Sequence, residues 1–154
     1  MTGITLRPAT LHDMGTLLRF EQGVILAERP FDPMLRDDPI HYYDLHGLIT
    51  SDDSELLVAE LAGHIIASGY VRIEPSKPYL RHEVHGYLGF MYVVPEHRGK
   101  GVNRLIISGL KAWCRLRDVT ELRLEVYVEN LAAVRAYEKE GFTKHMIEMR
   151  VGLE

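Results

Sequence analysis

A mixed α/β domain is the fold class this sequence predicts, and three observations carry it. The chain has 154 residues, enough for one domain with a substantial core. Residues 55–94 hold three strand-like runs in succession, the pattern of an antiparallel meander. After Val94 the pattern changes to helix, strand, helix, strand, which makes a βαβ-like second half.

The elements follow in order. Residues 4–7 alternate as a short strand that Pro8 ends. Thr10 can cap a helix over residues 11–22, with Asp13 at the third position, where a carboxylate suits the helix dipole. Pro30, Pro33 and Pro39 exclude one continuous helix over residues 29–39. Residues 41–49 suit a short second helix. Residues 55–61 and 64–73 form a hairpin around Ala62-Gly63, and residues 83–94 add a third strand. Gly86 and Gly89 interrupt that strand, as glycines do at a bulge or a close backbone approach. A helix over residues 101–117 carries Val102, Leu105, Ile106, Leu110, Trp113 and Cys114 on one stripe. Residues 121–127 alternate as a strand. Asn130 caps a helix that ends near Glu140, with Gly141 after it and Phe142 as the hydrophobic contact beyond. Residues 142–151 read as a last strand. No repeat or domain linker interrupts this order.

Composition is ordinary for a water-soluble domain, 46% apolar and 26% charged. A net charge of −4 argues against a general nucleic-acid binder. The charge is uneven. Residues 28–55 are rich in acids, and residues 95–123 carry Arg98, Lys100, Arg104, Lys111, Arg115, Arg117 and Arg123. Lys111, Arg115 and Arg117 fit a solvated helix face. Cys114 is the lone cysteine, placed on an apolar helix face as a buried structural thiol. The sequence shows no leader pattern and no run of 18 apolar residues, so it reads as cytoplasmic, with no membrane partner.

The most informative stretch is Val93-Val94-Pro95-Glu96-His97-Arg98-Gly99-Lys100-Gly101-Val102-Asn103. A strand, a glycine-rich turn and a helix start place unpaired backbone N–H groups where an anion can sit. Two glycines let that backbone approach a phosphate closely. The surrounding basic residues favour the same ligand chemistry.

This loop resembles the acetyl-CoA loop of the GNAT N-acetyltransferase superfamily, R/Q-x-x-G-x-G/A, with Arg98 first and Gly101 fourth. A second stretch, Leu124-Glu125-Val126-Tyr127-Val128-Glu129-Asn130 followed by Ala133, Tyr137 and Gly141-Phe142, resembles that family's other signature. Arg7-Pro8-Ala9-Thr10 with Asp13 is a weaker echo of a common start. The resemblance spans the whole element order and implies a single acetyltransferase domain over residues 1–154. It also implies a GNAT-like fold, whose meander leads into a half with a splayed central strand pair. Asn103 departs from the pattern, because Gly or Ala is usual at that loop position.

The resemblance implies direct transfer of acetyl from acetyl-CoA to a primary amine of a small molecule, amino acid or peptide. Arg98, Gly99, Lys100, Gly101, Val102 and Asn103 would hold the pyrophosphate, and Tyr92, Val93 or Val94 would offer a backbone N–H to the thioester carbonyl. Asn130 would both cap its helix and contact the cofactor. Tyr137 would be the general acid for the departing thiolate. Glu125 lies twelve residues before Tyr137, a spacing that resembles the Glu and Tyr pair of ribosomal-protein alanine acetyltransferases, and would be the base. Glu83 and His85 are its rivals, on one strand face with Tyr87. An α-amine, with an ordinary pKa of about 7.7–8.0, needs less help from a base than lysine at about 10.4. The eight histidines show no ligand spacing, and the implied chemistry needs no metal. A non-catalytic acyl-CoA-binding sensor on the same fold is the alternative. The acceptor is not legible, and the oligomeric state leaves a homodimer open.

Overall fold

The computed structural model describes residues 3–154. One five-stranded sheet runs in the order β1 (Ile4–Pro8), β2 (Ser54–Leu61), β3 (His64–Pro75), β4 (Val84–Val93) and β5 (Leu122–Arg123). The first three junctions are antiparallel and the β4–β5 junction is parallel. The meander and the crossover half are both present, so the fold is mixed α/β. The α-helices are α1 (Met14–Glu28), α2 (Leu45–Thr50), α3 (Val102–Arg115) and α4 (Leu131–Lys139), of which the first three pack on the sheet.

Both faces of the central strands are buried, which explains why β2 reads as a nearly continuous apolar run. Leu57, Ala59, Ala67, Val71 and Leu88 face α3, whose stripe of Val102, Ile106, Leu110, Trp113 and Cys114 closes one core. Leu56, Val58, Tyr70 and Phe90 face the other way, onto Leu17, Phe20 and Val24 of α1 and Leu45 and Leu48 of α2. Cys114 is buried, as a structural thiol would be.

Four expectations needed revision. First, a 3₁₀ turn over Leu11–Asp13 precedes α1, and α1 continues to Glu28 instead of stopping at residue 22. Gly23 lies inside it, where a Cβ would be 2.6 Å from the Tyr92 ring. Second, α2 starts at Leu45, capped by Asp44 accepting from the Gly47 N–H. The residues before it are extended because Glu21, fully buried in α1, accepts hydrogen bonds from the Tyr42 and Tyr43 N–H groups at 2.8 and 2.9 Å. His41 Nδ1 lies 2.7 Å from the other Glu21 oxygen. Third, β5 pairs only through Leu122 and Arg123, against an expected strand over residues 121–127. Fourth, the expected strand over residues 142–151 has no ladder, and residues 143–154 are exposed.

Glu21→Ala should leave two backbone donors unpaired and cost about 3–5 kcal/mol of stability, as when one partner of a buried charged pair is removed. Urea unfolding measures it. A loss below about 1 kcal/mol, no more than one ordinary hydrogen bond, would remove Glu21 as the anchor of this loop.

The start of α1 shows a capping box, with Asp13 accepting from the Thr10 N–H at 2.8 Å. Arg7 makes two hydrogen bonds to the same carboxylate, at 2.8 and 3.0 Å. The Arg7 guanidinium, then the Thr10 N–H, hold Asp13 below its ordinary range against the opposing effect of burial. A depressed folded pKa means stability that is complete above the unfolded value, about 3.9, and lost as pH falls through the folded one. Asp13→Asn should therefore flatten the acid limb of thermal stability below about pH 4.

Candidate active site

The parallel junction between β4 and β5 opens almost as soon as it forms. Gly86 pairs with Leu122 and Tyr87 with Arg123, and no ladder follows. On the other side of β4 the register slips between Ser68 and Tyr70, so two residues of β4 face Gly69 of β3. The slip is a bulge at Phe90, which takes a left-handed φ of 57° while 2% exposed. Ser68 Oγ donates to the Phe90 carbonyl at 3.0 Å and steadies the bulge. The bulge bends β4 away from β5 and leaves a wedge of unpaired backbone on its open edge.

Beyond the bulge, strand alternation decides which N–H groups face the wedge. The Val94 N–H already donates to the Ile66 carbonyl at 2.9 Å, so it points toward β3. Tyr92, two residues earlier, points the same way, and Val93 points to the open side. The Val93 carbonyl confirms this, because Arg98 Nε reaches it at 2.8 Å from the loop. Of the three expected donors, the structure therefore leaves Val93 available and commits Val94. Arg98 is fixed twice, since its guanidinium also lies 5.4 Å from the Tyr92 ring centroid.

The loop itself is shaped by two left-handed glycines, Gly99 at φ 75° and Gly101 at φ 83°. A Cβ at either position would meet nothing within 4 Å, so backbone conformation alone calls for glycine there. Gly101 caps α3, and buried Val102 anchors the first turn. Among the described residues, the N–H groups of Gly99, Lys100, Gly101, Val102 and Asn103 find no acceptor. Lys100 is exposed beside them, and the Asn103 side chain is half-buried and makes no hydrogen bond to another described residue.

Asn130 caps α4 by accepting from the Ala133 N–H at 3.3 Å. Gly141, at φ 96°, ends the helix, and the Phe142 N–H donates to the Tyr137 carbonyl at 3.1 Å. The Tyr137 and Phe142 rings meet edge to face, 6.0 Å between centroids. Burial, then the Glu28 charge, push the Tyr137 phenol up to about 12, and its hydroxyl makes no hydrogen bond to another described residue. It holds its proton and has no competing acceptor.

The expected bases make their hydrogen bonds elsewhere than to Tyr137. Glu125 accepts from the Tyr87 hydroxyl at 2.7 Å. Arg72 stacks on Tyr87, 4.9 Å from its centroid, and lines a cleft of about 400 Å³ with Tyr42, Tyr43 and Asp44. That cleft borders the Glu125 group without touching the glycine loop. His85 is buried, 2.9 Å from Ser76 Oγ, and burial first of all holds its imidazole below the usual range. Glu83 is exposed. Neither shares a hydrogen bond with Tyr137.

The carboxylate whose charge does reach Tyr137 is Glu28, at the end of α1. Burial raises its pKa, and it acts on Tyr42, Tyr43 and Tyr127 as well. Asp32 stands beside it, 2.9 Å from the Tyr127 hydroxyl that donates to it. Sequence reading had counted Glu28 and Asp32 only as part of an acidic segment. The signal that could have singled them out was α1 running past Gly23 to end at this wedge.

The chain matches the Acetyltransferase (GNAT) family over residues 21–142. The chain belongs to the GNAT acetyltransferase family. It is 33% identical over 102 residues to a mycothiol acetyltransferase of Thermobispora bispora, which covers 64% of this chain and 33% of that protein. It is 26% identical over 123 residues to an aminoglycoside N(6')-acetyltransferase type 1 of Stenotrophomonas maltophilia, covering 77% of this chain and 78% of that one. This GNAT chain thus spans about a third of the first relative's length and over three quarters of the second's. A solved structure described as a predicted acetyltransferase with acetyl-CoA from Clostridium acetobutylicum shares the GNAT fold, with a TM-score of 0.77 at 17% identity over 97% of this chain and 96% of that one. Among the described residues no group of His, Cys, Asp and Glu is arranged to hold a metal, and no helix is long and apolar enough to cross a membrane.

Proposed function

We propose that this chain is an acetyl-CoA-dependent N-acetyltransferase, a single domain that moves acetyl directly to the primary amine of a small molecule, amino acid or peptide. The observation that carries the reading is the wedge. Two left-handed glycines aim unpaired N–H groups at one end, and an opened strand pair lies at the other. Acetyl-CoA supplies the activated acyl group as a thioester. The N–H groups of residues 99–103 would hold the pyrophosphate. The Val93 N–H would bond the acyl-pantetheine arm as a neighbouring strand would. Asn130, whose side-chain NH₂ makes no hydrogen bond to another described residue, can add a contact at the start of α4.

In the transfer, the amine nitrogen bonds to the thioester carbon, the C–S bond breaks, and one ammonium proton must leave. Tyr137 would donate to the developing thiolate. With a pKa of about 12 in the structure, the phenol acts first as a hydrogen-bond donor to sulfur, and transfer completes as negative charge builds there. Glu125 remains the proposed base. Glu28 supplies negative potential beside Tyr137 and favours a cationic amine, while Asp32 is already paired with Arg150. The relative that is an aminoglycoside N(6')-acetyltransferase supports such an acceptor.

The test is thiol release from acetyl-CoA across a panel of primary amines. Amine-dependent release is expected, strongest for cationic acceptors. Tight acetyl-CoA binding with no turnover on any amine would instead favour a non-catalytic sensor.

A further inference from the structure

Lys111 was expected on a solvated face of α3, yet it is half-buried and its ammonium reaches a different helix. Its Nζ donates to the Glu140 carbonyl at 2.8 Å. Glu140 is the residue at which α4 ends. The last carbonyls of a helix have no partner within it, and a cation there satisfies one of them and complements the helix dipole.

Two routes lead from Lys111 to Tyr137. The first is backbone. The Glu140 N–H donates to the Tyr137 carbonyl at 3.0 Å, so Glu140 is bonded to Tyr137 on one side and to Lys111 on the other. The second is aromatic. The ammonium lies 6.0 Å from the Phe142 ring centroid, and that ring packs edge to face on Tyr137. The Glu140 carboxylate adds a tie to α3 by accepting from Arg104 Nε at 3.0 Å, a weaker one because the Arg104 side chain is 65% exposed.

Little else fixes α4. Val134 is its one buried residue, β5 before it pairs through only two residues, and no ladder follows Phe142 among the described residues. By contrast, α3 is set on the sheet by Ile106, Leu110, Trp113 and Cys114, and it begins at the glycine loop. Lys111 thus ties the helix that carries Tyr137 to the helix that opens at the proposed pyrophosphate site.

We propose that Lys111 is a positioning residue for acetyl transfer, holding α4 so that the Tyr137 hydroxyl stays in register with the acetyl-CoA sulfur. This rests on the reading of Tyr137 as the acid and adds to it a residue from another helix.

The test compares Lys111→Met, which keeps much of the side-chain length and loses the charge, with Lys111→Arg, which keeps the charge. Hydrogen exchange at the Glu140 and Phe142 amides, both donors to the Tyr137 carbonyl, reads the tie without any amine substrate. Lys111→Met should speed it roughly tenfold, the loss of one charged hydrogen bond, while the core amides of α3 keep native protection. Lys111→Arg should stay near native. In thiol release from acetyl-CoA with an aminoglycoside as the amine, Lys111→Met should lower kcat roughly tenfold or more. Acetyl-CoA affinity should stay within about threefold of native, and Lys111→Arg should restore most of the rate. Made in Tyr137→Phe, Lys111→Met should lower kcat no further, because the group it positions is already gone. Native exchange at both amides in Lys111→Met overturns the proposal, as does a loss of kcat repeated in full in Tyr137→Phe. A slow Tyr137→Phe beside a native-rate Lys111→Met removes the positioning role alone. A native-rate Tyr137→Phe removes the acid reading and this proposal with it.

Discussion

Tyr137→Phe should lower kcat by roughly 10²–10⁴ while leaving acetyl-CoA affinity within about threefold of native, the range expected for loss of a general acid. The substitution removes one oxygen that makes no hydrogen bond to another described residue. It keeps the ring that packs edge to face on Phe142, so the end of α4 should stay intact. The loss should therefore appear in the chemical step. Because the phenol sits near 12, the native rate should show no alkaline fall from this group below about pH 11. Stopped-flow thiol release with a good acceptor gives kcat, and calorimetry gives the acetyl-CoA affinity. An unchanged kcat would remove Tyr137 from the acid role. A lost affinity would make it a cofactor contact.

Gly101→Val should reduce acetyl-CoA affinity about tenfold or more without unfolding the protein. At φ 83° a side chain meets no neighbour, so the cost lies in the backbone. Holding a non-glycine residue in the left-handed region costs about 1–2 kcal/mol, and a β-branched residue fares worst. The chain can relieve that strain by rotating toward negative φ, which turns the Val102 and Asn103 N–H groups away from the pyrophosphate. Asn tolerates the left-handed region better than Val, so Gly101→Asn should fall between the two. Equal affinities across glycine, asparagine and valine would show that the loop conformation does not carry cofactor binding.

Much of this was legible in the sequence because it rests on local rules. The glycine loop, the Asn130 cap and the Gly141 stop need only their own neighbours, and all three formed where the residues indicated. The bulge was half legible. Gly89 marked an irregular strand, yet the left-handed residue is Phe90. Gly89 is there because a Cβ would strike the Tyr70 hydroxyl. The first helix was expected to end at residue 22, yet it runs on through Gly23, which is a packing surface for Tyr92 that only the folded sheet reveals. The alternation of residues 142–151 was real, but a strand needs a partner, and a single sequence does not name one. The proximity of Glu28 to Tyr137 was hidden for the same reason. It joins the end of α1 to the face of α4, 109 residues apart in sequence, through tertiary packing alone.

The central claim is that the wedge between β4, β5 and the glycine loop binds acetyl-CoA. Thermal unfolding with acetyl-CoA, ATP or NAD measures it most directly. At about a hundred times its dissociation constant, a ligand of the native state adds about 2.7 kcal/mol. For a domain of this size that is a rise of roughly 5–10 °C in Tm. The expected result is such a rise with acetyl-CoA alone, diminished in Gly101→Val. No rise with saturating acetyl-CoA, together with a rise for ATP or NAD, would contradict it.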